Sequence, residues 1–228
     1  MDSMYEIIMD LPLFQGVSRE KISELVEKTK FHFLKYSDKD QIVAIGDPCK
    51  HVRFIISGSI RIETPSTNKR VTISEVLTSP NVVGADYLFG RDTIYPFNAY
   101  ANGNCGVLQI EKGDYINILH NDKVFLFNLL NTLSRNSQKV IQGILSLSTG
   151  TLTERIALFV IALTQKGGTD IHITYKQKDF CTLLGVQRSS FISTLAKLQD
   201  DGIINYTQSE IQITSRERML DILHSTDD

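Results

Sequence analysis

Several things this 228-residue chain lacks narrow its class before any motif is read. No run approaches the roughly eighteen apolar residues of a membrane span, and the amino terminus MDSMYEIIMD carries acids where a secretory signal would carry bases. The cytoplasm is the expected compartment, with no membrane partner. Cysteine is scarce and odd in number: Cys49, Cys105 and Cys181 lie far apart, which argues against a disulfide framework and fits a reducing environment. An excess of one charge is also missing. With 24 Lys and Arg against 26 Asp and Glu, the net charge is -2, so nucleic-acid binding must be read from local pattern and not from a global field. Enzyme signatures are absent too: there is no Gly-rich phosphate loop, no Gly-x-Ser-x-Gly and no zinc-peptidase His pair. Ser18 to Lys21 spells Ser-x-x-Lys, but it opens an amphipathic helix with Ile22, Leu25 and Val26 on its apolar side, where Ser18 serves as the cap. Cys49 and His51 stand two apart, yet a metal or haem site needs further ligands that the sequence does not identify. No catalytic residue, metal site or cofactor is expected.

What is present is a soluble globular composition, 42% hydrophobic, enough for one large or two modest cores. From 31 to about 110, short β-rich runs such as HVRFIISGSIRIE and KRVTISEVL alternate with turn material at Gly46-Asp47-Pro48, Ser57-Gly58, Thr64-Pro65-Ser66, Ser79-Pro80-Asn81 and Asn102-Gly103-Asn104. That spacing predicts an antiparallel β-sandwich or roll. Past Gly113 the period changes. Residues 115–147 contain no Pro and one Gly, and most of the stretch should be helix. Within it Leu126, Leu130, Leu133, Ser137, Val140, Ile144 and Leu147 are separated alternately by four and three, the heptad seam of a two-stranded coiled coil with one polar interruption. Ser148-Thr149-Gly150 should break this helix and act as a hinge, with Thr151 or Thr153 capping the next one. A helix to about 165, a Gly167-Gly168 turn, the short strand IHITY, two helices around Gly185 and the hairpin IINYTQSEIQI complete a smaller second domain.

The segment CTLLGVQRSSFISTLAKLQDDGII holds the most specific pattern. A glycine inside a helix costs about 1 kcal/mol relative to alanine, so Gly185 reads as the turn between two short helices. Phe180, Leu184, Val186, Phe191 and Leu195 can form their shared core, with Cys181 as the small residue at the crossing. Gln187, Arg188, Ser189 and Ser193 are left facing outward, next to Ser190. A basic or amide side chain at the start of the second helix can reach base edges, while hydroxyls and backbone N-H groups hold phosphates. The hairpin that follows at 203–213 has the place of the wing in a winged helix.

With these residues in view, GVQRSSFISTLAKLQDDGII resembles the recognition helix of the Crp/Fnr family of bacterial transcription regulators. IVAIGDPCKHVRFIISGSIRIE is similar to that family's β-roll, through Gly46, Asp47 and Gly58. The order β-roll, long dimer helix, hinge, winged helix is the family's order, and the resemblance covers nearly the whole chain. It departs from the pattern in two places. Family members often carry Arg-Glu at the start of the second helix and a further Arg five residues on; here Arg188 matches, and Ser189 and Ser193 stand in the other two positions. Arg188 is therefore the main base-reading contact carried over. In cyclic-nucleotide-binding relatives a Gly-Glu pair holds the ribose and an Arg-Ser pair the phosphate. Here Gly84 matches, Ala85 replaces the Glu, and Tyr95 and Pro96 replace the Arg and Ser. A buried phosphate would lack its charge-assisted partners, so cyclic AMP is not the expected ligand. A pocket there would be lined by Tyr87, Phe89, Tyr95 and Phe97. No cysteine cluster for an iron-sulfur centre exists.

The expected protein is thus α+β, with an N-terminal antiparallel β-roll like a cyclic-nucleotide-binding domain (1–120), a long dimerisation helix and hinge (121–149) and a C-terminal winged helix-turn-helix (150–228). From Gly150 onward there are 8 Lys plus Arg against 10 Asp plus Glu, so phosphate binding would fall to locally placed Lys176, Lys178, Arg188 and Lys197. The implied partners are double-stranded DNA, a second copy of the chain, RNA polymerase and an unidentified small effector. The competing expectation is a regulatory or scaffold protein without DNA that uses the roll and coiled helix for ligand-dependent protein contacts.

Overall fold

The computed structural model describes residues 2–146 and 150–224. Its elements are α1 (Asp2–Asp10), α2 (Arg19–Lys28), β1 (Phe31–Tyr36), β2 (Gln41–Val43), β3 (His51–Pro65), β4 (Val71–Thr78), β5 (Asn81–Val83), a 3-10 turn (Ala85–Tyr87), β6 (Asn98–Glu111), α3 (Lys112–Asn121) and α4 (Lys123–Ser146). After them come α5 (Leu152–Leu163), β7 (Thr169–Tyr175), α6 (Gln177–Leu184), α7 (Arg188–Asp200), β8 (Ile204–Tyr206), β9 (Glu210–Ile213) and α8 (Arg216–His224). Packing divides the chain differently from the sequence-based boundaries at 120 and 149. One compact unit is built from the chain up to Ile62 and from Leu77–Arg135, the other from Glu63–Val76 and from Asn136 onward. The long helix is shared between them, and the β3–β4 hairpin packs with the C-terminal elements.

The first unit is an antiparallel roll. β1 lies against β6 from Phe31↔Ile110 to Tyr36↔Cys105, β2 pairs the other end of β6, and β5 pairs β3. Ser18 caps α2 as expected, its side chain accepting from the Lys21 N-H. Phe14 anchors the interior edge-to-face on Phe31, Phe54 and Phe125 at 6.5, 5.4 and 5.1 Å, and each such ring pair adds about 0.5–1.5 kcal/mol beyond its buried area. The helix expected over 115–147 is two. Asp122 is extended (φ -141, ψ 116), and its carboxylate accepts from the Val124 N-H at 2.8 Å, so an Asp that favours caps over helix interiors ends α3 and starts α4. Phe125 and Leu129 bury one face of α4 in this unit, while Leu126, Phe127 and Leu130 remain exposed.

The second unit holds the β4-β7-β9-β8 run of the antiparallel sheet, with the end of β3 beside β4, and helices cover it. β4 pairs β7 through Val71↔Tyr175, Ile73↔Ile173 and Val76↔Thr169, and β7 pairs β9 through Ile171↔Ile213, Ile173↔Ile211 and Thr174↔Glu210. Ile73, Ile173 and Ile211 thus stand in one row on the face that α5, α6 and α7 bury. α5 starts on a capping box: the Thr151 hydroxyl accepts from the Glu154 N-H at 3.3 Å, and the Glu154 carboxylate accepts from the Thr151 N-H at 2.7 Å. Thr151, not Thr153, is therefore the cap. Leu147 and the hinge positions Ser148 and Thr149 lie outside the described residues.

At the C-terminal end of α5 a polar knot closes the unit. Thr164, 2% exposed, offers its carbonyl to Lys139 Nζ, and its hydroxyl accepts from Arg216 Nε at 3.1 Å and donates to the Val160 carbonyl at 2.7 Å. Glu75, 5% exposed on β4, accepts from the Gln165 N-H at 2.9 Å. Burial pushes the Glu75 carboxyl above its ordinary value, against opposing pulls from Gln165, Lys139 and Arg216. Burial, then the neighbouring Arg216, pull the Lys139 amine down to about 8. Two cations at this helix terminus also meet the negative end of its dipole.

Candidate nucleic-acid interface and aromatic sensor site

α6 and α7 meet at Gly185, which adopts the left-handed conformation (φ 62, ψ 39) that a side chain would resist. The Val186 N-H reaches back to the Cys181 carbonyl at 3.0 Å and closes the end of α6. Arg155 of α5 donates to the Leu184 carbonyl in the same terminus. Beneath the turn, four rings lock the helices to the sheet: Phe180 packs on Phe159 at 5.2 Å, on Tyr175 at 5.1 Å and on Phe191 at 5.6 Å, and Tyr175 meets Phe191 at 5.9 Å. Phe180, Leu184, Phe191 and Leu195 are fully buried, Cys181 is 8% exposed, and Val186 packs against them from the edge.

That core leaves one polar face outside. Gln187 caps α7 from an extended backbone (φ -72, ψ 149), and Arg188 is the first helical residue. Gln187, Arg188, Ser189, Ser190, Ser193 and Lys197 are all exposed, as are Lys176 and Lys178 at the start of α6. Ser189, Ser193 and Lys197 recur every four residues and form one stripe along α7. The open angle between α6 and α7 is a cleft of about 730 Å³ that joins Lys178 to Arg188 across Cys181, Gly185 and Val186. Burial pushes the Cys181 thiol up and Arg188 opposes it, so the guanidinium charge is felt at the helix crossing. β8 and β9 form the hairpin directly after α7, with Ile204↔Ile213 and Tyr206↔Ile211 in register. A two-helix unit with an exposed Arg at the amino end of its second helix, followed by a wing, is the construction of a winged-helix DNA-binding regulator.

The first unit brings the expected sensor residues together around one ring. Gly84 (φ 66) has Tyr95 so close that a Cβ there would stand 2.6 Å from the ring and 3.1 Å from Phe97. Tyr95 is 1% exposed, and Phe97 and Ala85 are also buried. Tyr95 and Phe97 pack at 5.4 Å, Phe97 and Tyr87 at 5.8 Å, both edge-to-face. The Tyr95 hydroxyl accepts from Arg53 NH1 at 2.7 Å and from the Cys49 thiol at 3.0 Å, and donates to the His51 carbonyl at 3.4 Å. Burial, reinforced by Cys49, raises the Tyr95 phenol far above its ordinary value, with Arg53 opposing. Pro96 is half-buried beside it, and Phe89 packs with Tyr87 against the core from outside and carries Lys112 over its face at 5.1 Å. Sequence reasoning missed Arg53, and it weighed Cys49 only as a metal or haem ligand beside His51. Arg53 and Cys49 lie more than forty residues upstream of Tyr95, and it is the tertiary pairing, with the Cys49 N-H donating to the Thr93 carbonyl at 2.8 Å and Arg53↔Val83 in β3–β5, that brings them to one site.

Comparison with known proteins agrees with both halves. Residues 33–122 match the model of the cyclic nucleotide-binding domain, and residues 154–222 match that of the Crp-like helix-turn-helix domain. The chain is a Crp/Fnr family member and a DNA-binding transcription regulator. It is 26% identical over 189 residues to the regulatory protein YeiL of Escherichia coli O157:H7, covering 83% of each chain. It is 24% identical over 184 residues to the cAMP-activated global transcriptional regulator Vfr of Pseudomonas aeruginosa, covering 76% of this chain and 85% of that one. The crystal structure of Thermus thermophilus catabolite activator protein shares the fold, with a TM-score of 0.55 at 17% identity over 94% of this chain and 99% of that one. Among the described residues no helix is long and apolar enough to cross a membrane, and no group of three or more His, Cys, Asp or Glu could hold a metal ion.

Proposed function

We propose that the protein acts in the cytoplasm as a homodimer that reads DNA with Arg188 and recruits or blocks RNA polymerase. The observation that carries the DNA reading is Arg188, exposed at the first position of α7 beside the cleft shared with Lys178. Its guanidinium can donate two parallel hydrogen bonds to O6 and N7 of a guanine, worth about 1–3 kcal/mol of base discrimination. Lys176, Lys178 and Lys197 serve the phosphates on either side, helped by Gln187 and by the hydroxyls of Ser189, Ser190 and Ser193.

Dimerisation is supported by α4. Leu126, Leu130, Val140 and Ile144 of the seam are 38%, 47%, 48% and 63% exposed on a helix that buries Phe125 and Leu129 near its start, and Phe127 and Ile141 widen that stripe. Leu133, partly buried against the core of the first unit, and the exposed Ser137 lie between them on the same seam. An uncovered apolar stripe of this length fits a second copy of the same helix. In the roll, Tyr95 and Pro96 stand in the places that the resemblance gives to the Arg and Ser of a phosphate site, which argues against cyclic AMP as the effector.

The DNA reading is tested by selecting a binding site from random-sequence duplexes and titrating wild type and Arg188→Ala on selected and scrambled DNA. Arg188→Ala should lose about ten- to a hundred-fold at the selected site and relax base preference at one position of each half-site, the half-sites lying about one helical turn apart. Full discrimination retained by Arg188→Ala would assign the reading to another element.

A further inference from the structure

We propose that the turn between β3 and β4 is a second wing, which sets Lys69 and Arg70 against the DNA backbone beside the first turn of α6. The proposal rests on the reading that α6 and α7 face DNA. β7 is the middle strand between two antiparallel partners, and both of those partners turn at the same end. The β9 hairpin reaches it at Thr174↔Glu210, and the Tyr175 N-H donates to the Ser209 carbonyl at 2.9 Å in the wing turn. On the opposite edge β4 reaches the same end at Val71↔Tyr175, and the Lys176 N-H donates to the Arg70 carbonyl at 3.3 Å. The wing turn, the start of α6 and the β3–β4 turn therefore lie side by side, all within one compact unit.

The chemistry of that turn suits phosphate. Thr67, Asn68, Lys69 and Arg70 are exposed and include two cations and no acid. The turn is also fixed in shape: the Ser66 hydroxyl accepts from the Arg70 and Val71 N-H groups at 3.1 Å each and donates to the Asn68 side chain at 2.9 Å. Lys69 holds a left-handed backbone (φ 54) that glycine would occupy with less strain, so the turn keeps a cation where its own geometry favours none. Arg70 has a separate task. Asp179 is the acid in the first turn of α6, next to Lys178, and would repel a phosphate there; Arg70 NH1 pairs with it at 3.2 Å and offsets it. Because the C-terminal segment by itself carries more acids than bases, two cations delivered from the other half of the chain change the local sign.

The test is the salt dependence of binding to selected and scrambled duplexes of about 30 base pairs, since each phosphate contact contributes about 0.9 to the slope of log K against log salt. Lys69→Gly should fold at least as stably as wild type, because glycine fits the backbone, yet lower that slope by about 0.9 per bound protomer on both duplexes and leave base discrimination intact. Arg70→Ala should weaken both duplexes several-fold, and adding Asp179→Asn should restore most of the loss. Lys69→Gly with an unchanged slope would overturn the second wing, and no recovery in the Arg70→Ala/Asp179→Asn double variant would overturn the screening of Asp179. Arg188→Ala on the same duplexes separates the two readings, because it removes discrimination through the recognition helix whatever the turn does.

Discussion

Glu75 offers a case in which burial and charge attraction predict opposite signs. Its carboxylate sits among Lys139, Arg216 and the Gln165 N-H, and attraction alone would make it a strong ionic tie. Burial is the larger influence, however, and holds the carboxyl above its ordinary 4.5. The folded state therefore binds the proton more tightly than the unfolded state. The associated stability is complete below 4.5 and is lost as pH rises through the folded value, so at neutral pH the charge on Glu75 is a cost. Its hydrogen bond and its volume are the favourable part. Glu75→Ala leaves the Gln165 N-H without its partner, about 1–3 kcal/mol, and removes one buried methylene at about 0.8 kcal/mol. The expected loss is about 3 kcal/mol in urea unfolding at pH 7. Glu75→Gln keeps the acceptor and the volume without the charge and should fall within about 1 kcal/mol of wild type. Wild type should also lose stability as pH rises from 4.5 toward neutrality by an amount missing in Glu75→Gln. If Glu75→Gln proved as destabilised as Glu75→Ala, attraction to Lys139 and Arg216 would outweigh burial and the sign would be wrong.

Three further outcomes are expected. Lys139 binds its proton less tightly when folded, with a value of about 8 against 10.5, so wild-type stability should rise between pH 8 and 10 and the rise should be absent in Lys139→Met, read by urea midpoints. Charged residues at both Leu130 and Leu133 should give monomers in sedimentation velocity if the seam pairs two copies, with Leu130 exposed and Leu133 only partly buried against the core; an intact dimer would refute the seam. Cyclic AMP at physiological concentration should release no heat in calorimetry if, as the family resemblance implies, Tyr95 and Pro96 replace the Arg and Ser that would hold its phosphate, and a micromolar dissociation constant would contradict this.

What could be read in the sequence was whatever repeats or turns locally. The strand-rich run, the turn at Gly185 and the hairpin after α7 each announce themselves within a few residues, and the structure has each of them at or near the expected place. The missed features are long-range. Arg53 reaches Tyr95 across 42 residues, Arg70 reaches Asp179 across 109, and Glu75 reaches the Gln165 N-H across 90. No periodicity encodes such pairs, because strand pairing makes neighbours of residues that share no local pattern. Asp122 is different: an acid before a long apolar helix is a cap signal, but the apolar period runs on continuously from both sides of it.

The path of the hairpin from β3 into β4 bears on how the protein can be taken apart. β4 occupies one edge of β7, so a fragment cut at the start of the Asn136 segment would leave that edge with unpaired backbone groups and Ile173 without its neighbour Ile73. The winged-helix unit is not a cassette that can be excised after α4 and grafted elsewhere. A chimera that exchanges it would have to carry residues 63–76 along, and a proteolytic fragment lacking them is expected to associate through the bare strand.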